Sequence, residues 1–164
     1  YHFDLTRPGL ALYGGIPRAE LADTIRQVAY VEAAVLQGRD LRPGDKGGYN
    51  ATFTAEAPLR AATVSLGYAD GILRTWGTRG ALQHGKNTLP IIGRVSMDML
   101  TIDLNGIEAD IGDEVELWGD EVDVDKVARA CGTISYELFC QITGRPERTI
   151  LGVGRQTSDA RPKD

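Results

Sequence analysis

Val64-Ser65-Leu66-Gly67-Tyr68-Ala69-Asp70-Gly71 decides the fold of this chain. An alternating apolar run, the pattern of a half-buried strand, enters Gly67. Tyr68 follows, and Asp70-Gly71 turns the chain. Upstream lies Gly48-Tyr49-Asn50-Ala51-Thr52-Phe53, and downstream Gly93-Arg94-Val95-Ser96-Met97-Asp98. Each segment sets a large or polar-tipped residue beside a glycine, where the backbone can bend or approach another group closely. Tyrosine adds an apolar ring with a hydroxyl that needs a partner when buried.

Outward from this centre, short strands dominate. The pattern predicts strands over 28–36, 51–55, 60–66, 89–95, 99–104, 114–118 and 148–153, with a hairpin around His84-Gly85-Lys86-Asn87 and a helix-prone linker over 17–27. Leu100, Ile102 and Leu104 face one way, Thr101 and Asp103 the other. Turns at this spacing predict a mostly β, antiparallel, barrel-like sheet. Near the C-terminus, Val124, Val127, Ala128 and Cys131 fall on one helical face. Asp123 is the expected N-cap and Gly132 the stop. A second short helix is expected from Ser135 to Gly144, burying Leu138, Phe139 and Ile142.

The 164 residues suffice for one domain with a real core. A net charge of −5 argues against nucleic acid or an anionic membrane as partner. No apolar run reaches the length of a membrane span. Cys131 and Cys140 form no CxxC pair, and two histidines give no metal site.

Five segments, in order, resemble the alanine racemases: Asp4 to Gly14, Gly67-Tyr68-Ala69-Asp70-Gly71, Gly93 to Asp98, Gly132-Thr133-Ile134-Ser135-Tyr136-Glu137 and Arg145-Pro146-Glu147-Arg148. The resemblance covers nearly the whole chain. It implies a C-terminal β domain over 16–155, preceded at 1–15 by the tail end of a pyridoxal-phosphate barrel and followed by a polar, disordered tail over 156–164. Residues 1–15 are then expected to be extended or poorly packed, their barrel partners being absent.

The implied activity is interconversion of L- and D-alanine for peptidoglycan precursors, by a cytoplasmic homodimer that binds pyridoxal phosphate. Removing the α-proton on one face and returning one on the other needs two bases. The resemblance assigns one to a barrel lysine and the other to Tyr49, reaching the partner subunit's site. A free tyrosine has a pKa near about 10, so a base working near neutrality needs a cation or donors close by. Met97 would offer its N–H to the substrate carboxylate, Tyr68 would narrow the entrance, and Asp98, with Asp70, would support those turns. Arg7 would donate to the pyridine nitrogen. Gly9 and Leu10 would give N–H groups, and Tyr136 its hydroxyl, to the cofactor phosphate. None of Lys46, Lys86, Lys126 and Lys163 stands in the family's cofactor-lysine context, so this chain alone is expected to be inactive.

Three other readings remain open: a racemase of the same type acting on serine or several amino acids, a related decarboxylase of basic amino acids, and a non-catalytic β module for dimerisation. Convergence of Tyr49, Tyr68 and Met97 on one rim separates a catalytic domain from a bare module.

Overall fold

The β-branched and apolar run after Tyr30 forms the longest strand, β1 (Val31–Leu41), in a computed structural model that describes residues 4–77, 79–104 and 106–152. The other strands are β2 (Lys46–Gly47), β3 (Phe53–Thr54), β4 (Leu59–Val64), β5 (Ala81–His84), β6 (Asn87–Pro90), β7 (Leu100–Asp103) and β8 (Glu114–Trp118). Six of them form one sheet in the order β6-β5-β8-β1-β4-β7, and every pairing is antiparallel. A bridge between Ile91 and Ile102 brings the end of β6 back to β7. The sheet thereby closes on itself almost completely, as the barrel-like expectation requires. The pair β2–β3 stands apart as a small hairpin.

β1 runs further than the predicted 28–36 because it serves two partners in turn. Val31 to Ala34 pair with β8, and Val35 to Leu41 pair with β4. The register slips between Val35 and Gln37, a β-bulge that bends the strand from one partner to the next. Leu36, the extra residue, is left exposed. Ala33 and Val35 face the main core with Leu82, Leu89, Ile102, Val115, Trp76 and Trp118, while Leu41 joins a second cluster with Ala55, Ala61 and Ile92.

The helices form where the sequence places them. α1 (Val124–Cys131) buries Val124, Val127 and Ala128; the Lys126 N–H donates to the Asp123 carboxylate at 2.7 Å, and Gly132 ends the helix at φ 73°. α2 (Ser135–Gln141) is shorter than expected, stopping at Gln141; Leu138 is buried, and Phe139 and Ile142 pack on the core. The Trp118 and Phe139 rings meet edge to face with centroids 6.1 Å apart.

Several expectations are corrected. The strand expected over 89–95 stops at Pro90 except for the Ile91 bridge, and 51–55 contributes only Phe53–Thr54. Residues 148–152 form no strand, and Ile150 and Leu151 are exposed. Val153 and the predicted tail over 156–164 lie outside the described residues. Residues 4–9 are exposed as anticipated, but Leu10–Tyr13 is a 3-10 turn rather than extended chain. Leu10 is buried, the Tyr13 ring lies 5.7 Å from that of Phe139, and the Ile16 N–H donates to Asp125 at 2.9 Å. This segment is therefore docked on α1 and α2 at its far end.

Candidate functional site

The Gly93–Asp98 loop is the point on which the other two segments converge. Ser96 and Met99 close a turn: the Ser96 N–H donates to the Met99 carbonyl at 3.0 Å, and the Met99 N–H donates to the Ser96 hydroxyl at 3.2 Å. Met97 and Asp98 occupy its tip. Met97 is 51% exposed, and its N–H donates to no acceptor among the described residues. An exposed N–H at a rigid turn is available to an anionic group.

Gly67 brings the second segment in. A Cβ on Gly67 would overlap the Met97 carbonyl, so only glycine admits this contact. The closeness allows the Tyr68 N–H to donate to the Ser96 carbonyl at 3.1 Å and the Ala69 N–H to the Met97 carbonyl at 2.9 Å. The Gly67 N–H in turn donates to Asp70 at 2.8 Å, which fixes the turn that displays Tyr68. Tyr68 is 44% exposed.

Gly48 brings the third. At φ 72°, a left-handed conformation suited to glycine, it lies so close to Gly93 that a Cβ would sit 2.9 Å from the Gly93 Cα. Tyr49 follows at once, 54% exposed, at the start of a short turn over Tyr49–Ala51. Asn50 and Ala51 both have positive φ, 60° and 52°. For a residue bearing a Cβ this backbone is strained, on the order of 1–3 kcal/mol each, less for asparagine. The Arg74 guanidinium lies over the Tyr49 ring, 5.7 Å from its centroid, within cation–π range. Arg74 was not singled out in the sequence; it is six residues beyond Tyr68 and meets Tyr49 only through space.

Tyr49, Tyr68 and Met97 are thus carried on segments packed against one loop, and all three are exposed. Two depressions of the surface are lined by other residues. One lies among Gly71, Trp76, Trp118 and Leu138, the other along Phe53, Pro58, Arg60 and Asp103.

Asp98 and Asp70 share a partner that the sequence reading left without a role. Arg145 places Nη1 2.8 Å from Asp98 and Nε 3.5 Å from Asp70. Its pKa is pushed above the ordinary arginine value, first by the hydrogen bond to Asp98. Arg7, Gly9, Leu10 and Tyr136 fall into a second group. Tyr136, on α2, is 52% exposed, and the Tyr13–Phe139 contact lays the segment after Leu10 on the same helix. Arg7 and Gly9 are exposed, and the N–H groups of Gly9 and Leu10 donate to no acceptor among the described residues. The two groups are joined by α2, whose seven residues span about 10 Å. Tyr136 lies at one end, and at the other Gly71 packs so tightly on Gln141 that a Cβ would overlap its carbonyl.

The profile of the alanine racemase C-terminal domain matches residues 28–150. The alanine racemase of Alcanivorax borkumensis is 51% identical over 158 residues, 92% of this chain and 43% of that protein. The solved biosynthetic alanine racemase of Pseudomonas aeruginosa superposes with a TM-score of 0.78 at 45% identity, covering 85% of this chain and 40% of that one. The alanine racemase of Bartonella henselae, solved with covalently bound pyridoxal phosphate, gives a TM-score of 0.84 at 37% identity, covering 90% and 42%. The chain therefore spans well under half the length of the relatives it matches. On this match of sequence and of architecture, the chain belongs to the alanine racemase family, as its C-terminal β domain.

Proposed function

We propose that the chain supplies the β-domain half of an alanine racemase site: the second proton-transfer base, a substrate-carboxylate contact and part of the cofactor cradle. The observation that carries this reading is that the segments bearing Tyr49 and Tyr68 converge on the Gly93–Asp98 loop, beside a Met97 N–H that donates to no acceptor among the described residues. A bare dimerisation module requires no such gathering of a phenol, a second phenol and an unpaired donor. In this reading their substrate meets them against a surface from outside this chain. A head-to-tail homodimer, in which the β domain of one subunit faces the barrel of the other, provides that surface.

The residues present fit pyridoxal phosphate. An anionic phosphate suits the unpaired N–H groups of Gly9 and Leu10 and the exposed Tyr136 phenol, and the pyridine nitrogen suits a guanidinium such as that of Arg7. When bound, the cofactor supplies the electron sink that makes the α-hydrogen acidic. The chain's own groups do the rest. The Met97 N–H holds the alanine carboxylate, so that the α-carbon presents one face to Tyr49. The Tyr49 oxygen takes the proton from that face, or returns one to it, while a lysine on the barrel serves the opposite face. The Arg74 guanidinium lies over the ring and helps hold it in place. Tyr68 narrows the entrance.

D-Alanine made this way serves peptidoglycan precursor synthesis in the cytoplasm. The test is complementation of a D-alanine auxotroph by the full-length protein carrying this domain. Growth with the wild type and none with Tyr49→Phe supports the reading. Growth with Tyr49→Phe equal to wild type refutes the role of Tyr49. Failure of the wild type, with D-serine formation in the purified enzyme, places the protein among the serine racemases of this type.

A further inference from the structure

The loop after α2 grips the two segments that carry Tyr68 and Met97, and its charges are arranged for more than grip. The Thr143 hydroxyl donates to the Ala69 carbonyl at 2.9 Å, and the Thr143 N–H donates to the Asp70 carbonyl at 3.2 Å. Arg148 braces this loop from the other side by donating to the Thr143 carbonyl at 3.1 Å. Arg145, whose own N–H donates to the Thr143 hydroxyl at 3.2 Å, reaches across to both carboxylates. The side chain of Asp70 is 13% exposed and has a second partner in the Gly67 N–H. Asp98 differs. Its side chain is 45% exposed, and Arg145 is its only partner among the described residues.

Asp98 directly follows Met97, so its carboxylate lies within several ångströms of any anion held by the Met97 N–H; neighbouring Cα atoms are about 3.8 Å apart. Two carboxylates that close repel, and an unpaired one beside the site would weaken binding of an anionic group.

We propose that Arg145 is a positioning and charge-neutralising residue for the substrate carboxylate: by pairing with Asp98 and Asp70 it removes their repulsion at the Met97 N–H and holds that turn against Tyr68. This rests on the reading of Met97 given above. Arg145 itself is not assigned a contact with substrate, and its companion in the Arg145-Pro146-Glu147-Arg148 segment acts on loop carbonyls alone. The segment thus contributes to substrate affinity from behind the turn.

The size of the effect follows from Coulomb's law. One uncompensated charge at about 7 Å, with an effective dielectric between 20 and 80, weakens carboxylate binding about three- to fiftyfold. Because Asp98 and Arg145 are both half exposed, added salt should reduce that penalty.

The test uses the full-length holoenzyme. Arg145→Gln should raise the KM for alanine about three- to fiftyfold at low salt, change kcat by less than about threefold, and raise by a similar factor the inhibition constant of propionate, a carboxylate without an amino group. The rise should shrink in about 0.5 M salt. Adding Asp98→Asn to Arg145→Gln should recover most of the lost affinity, since it removes the exposed charge that Arg145 had balanced. Arg145→Lys keeps the charge, should fold if the glutamine variant does not, and should bind more tightly than Arg145→Gln. An unchanged KM in a folded Arg145→Gln enzyme overturns the proposal, as does a rise that neither salt nor Asp98→Asn relieves. A lysine variant as weak as the glutamine one does the same. If the wild-type holoenzyme does not racemise alanine at all, the assignment of function fails instead.

Discussion

Replacing Gly67 by alanine tests whether the site loops depend on a single close approach. Gly67 has φ −149° and ψ −174°, extended backbone that any residue adopts, so the substitution introduces no dihedral strain. What it introduces is a methyl group where the Met97 carbonyl already lies. The two loops must part, which gives up the Tyr68–Ser96 and Ala69–Met97 hydrogen bonds. At about 1 kcal/mol net for each bond, with about 1–3 kcal/mol for overpacking, the loss is about 3–5 kcal/mol. The stiffer unfolded chain offsets about 0.4–1 kcal/mol, leaving about 2–4.6 kcal/mol. For a domain of this size that lowers the melting temperature by about 4–18 °C. Gly144→Ala is the matched control, because a Cβ there meets nothing within 4 Å and φ is not positive. It should melt within about 3 °C of wild type. Urea unfolding of the three proteins, followed by tryptophan fluorescence, gives the energies. A Gly67→Ala chain as stable as the Gly144→Ala chain would refute the claim that this contact holds the loops together.

Four further outcomes are expected. In the full-length enzyme, Tyr49→Phe should leave the cofactor bound but slow α-hydrogen exchange into deuterated water about 10²- to 10⁴-fold for the enantiomer facing Tyr49; equal slowing of both enantiomers would make Tyr49 a positioning residue. Mixing a full-length variant lacking the cofactor lysine with a full-length Tyr49→Phe variant should restore activity through one intact shared site per heterodimer, and no recovery after verified subunit exchange would argue for sites within one subunit. Burial, and secondly Glu137, push the Cys131 thiol from 9.0 up to about 11. The folded chain therefore keeps this proton where the unfolded chain releases it, so stability should fall as pH rises from 9 towards 11. At pH 8, iodoacetamide should modify the exposed Cys140 well before Cys131.

The sequence was most informative where a pattern acts locally. The spacing of Val124, Val127 and Ala128, a capping aspartate before them and a glycine after Cys131 are enough to define α1, because each works within one or two turns. Alternation likewise locates β4, β7 and β8 within two residues. The length of β1 was not legible, since the bulge after Val35 and the change of partner depend on β4 and β8, far away in the chain. Ile150 and Leu151 read as a strand, but a strand forms only on pairing with a neighbour, and these residues pair with none of the described strands and stay exposed. The site divides in the same way. Tyr49 and Tyr68 were marked by the glycines before them, and Met97 by the family resemblance. Arg74 and the pairing of Arg145 with two aspartates depend on contacts through space, for which neighbouring residues give no signal.

The left-handed backbone at Ala51 carries a consequence for how this domain tolerates change. An alanine at φ 52° stores strain that a glycine would release. Glycine substitutions usually weaken a protein, yet Ala51→Gly is the direction a screen for heat resistance would favour here, by up to about 1 kcal/mol. The same change would slacken the turn that carries Tyr49. Under the role proposed for Tyr49, selection for endurance and selection for turnover would pull in opposite directions at this one residue, alanine giving up durability for aim.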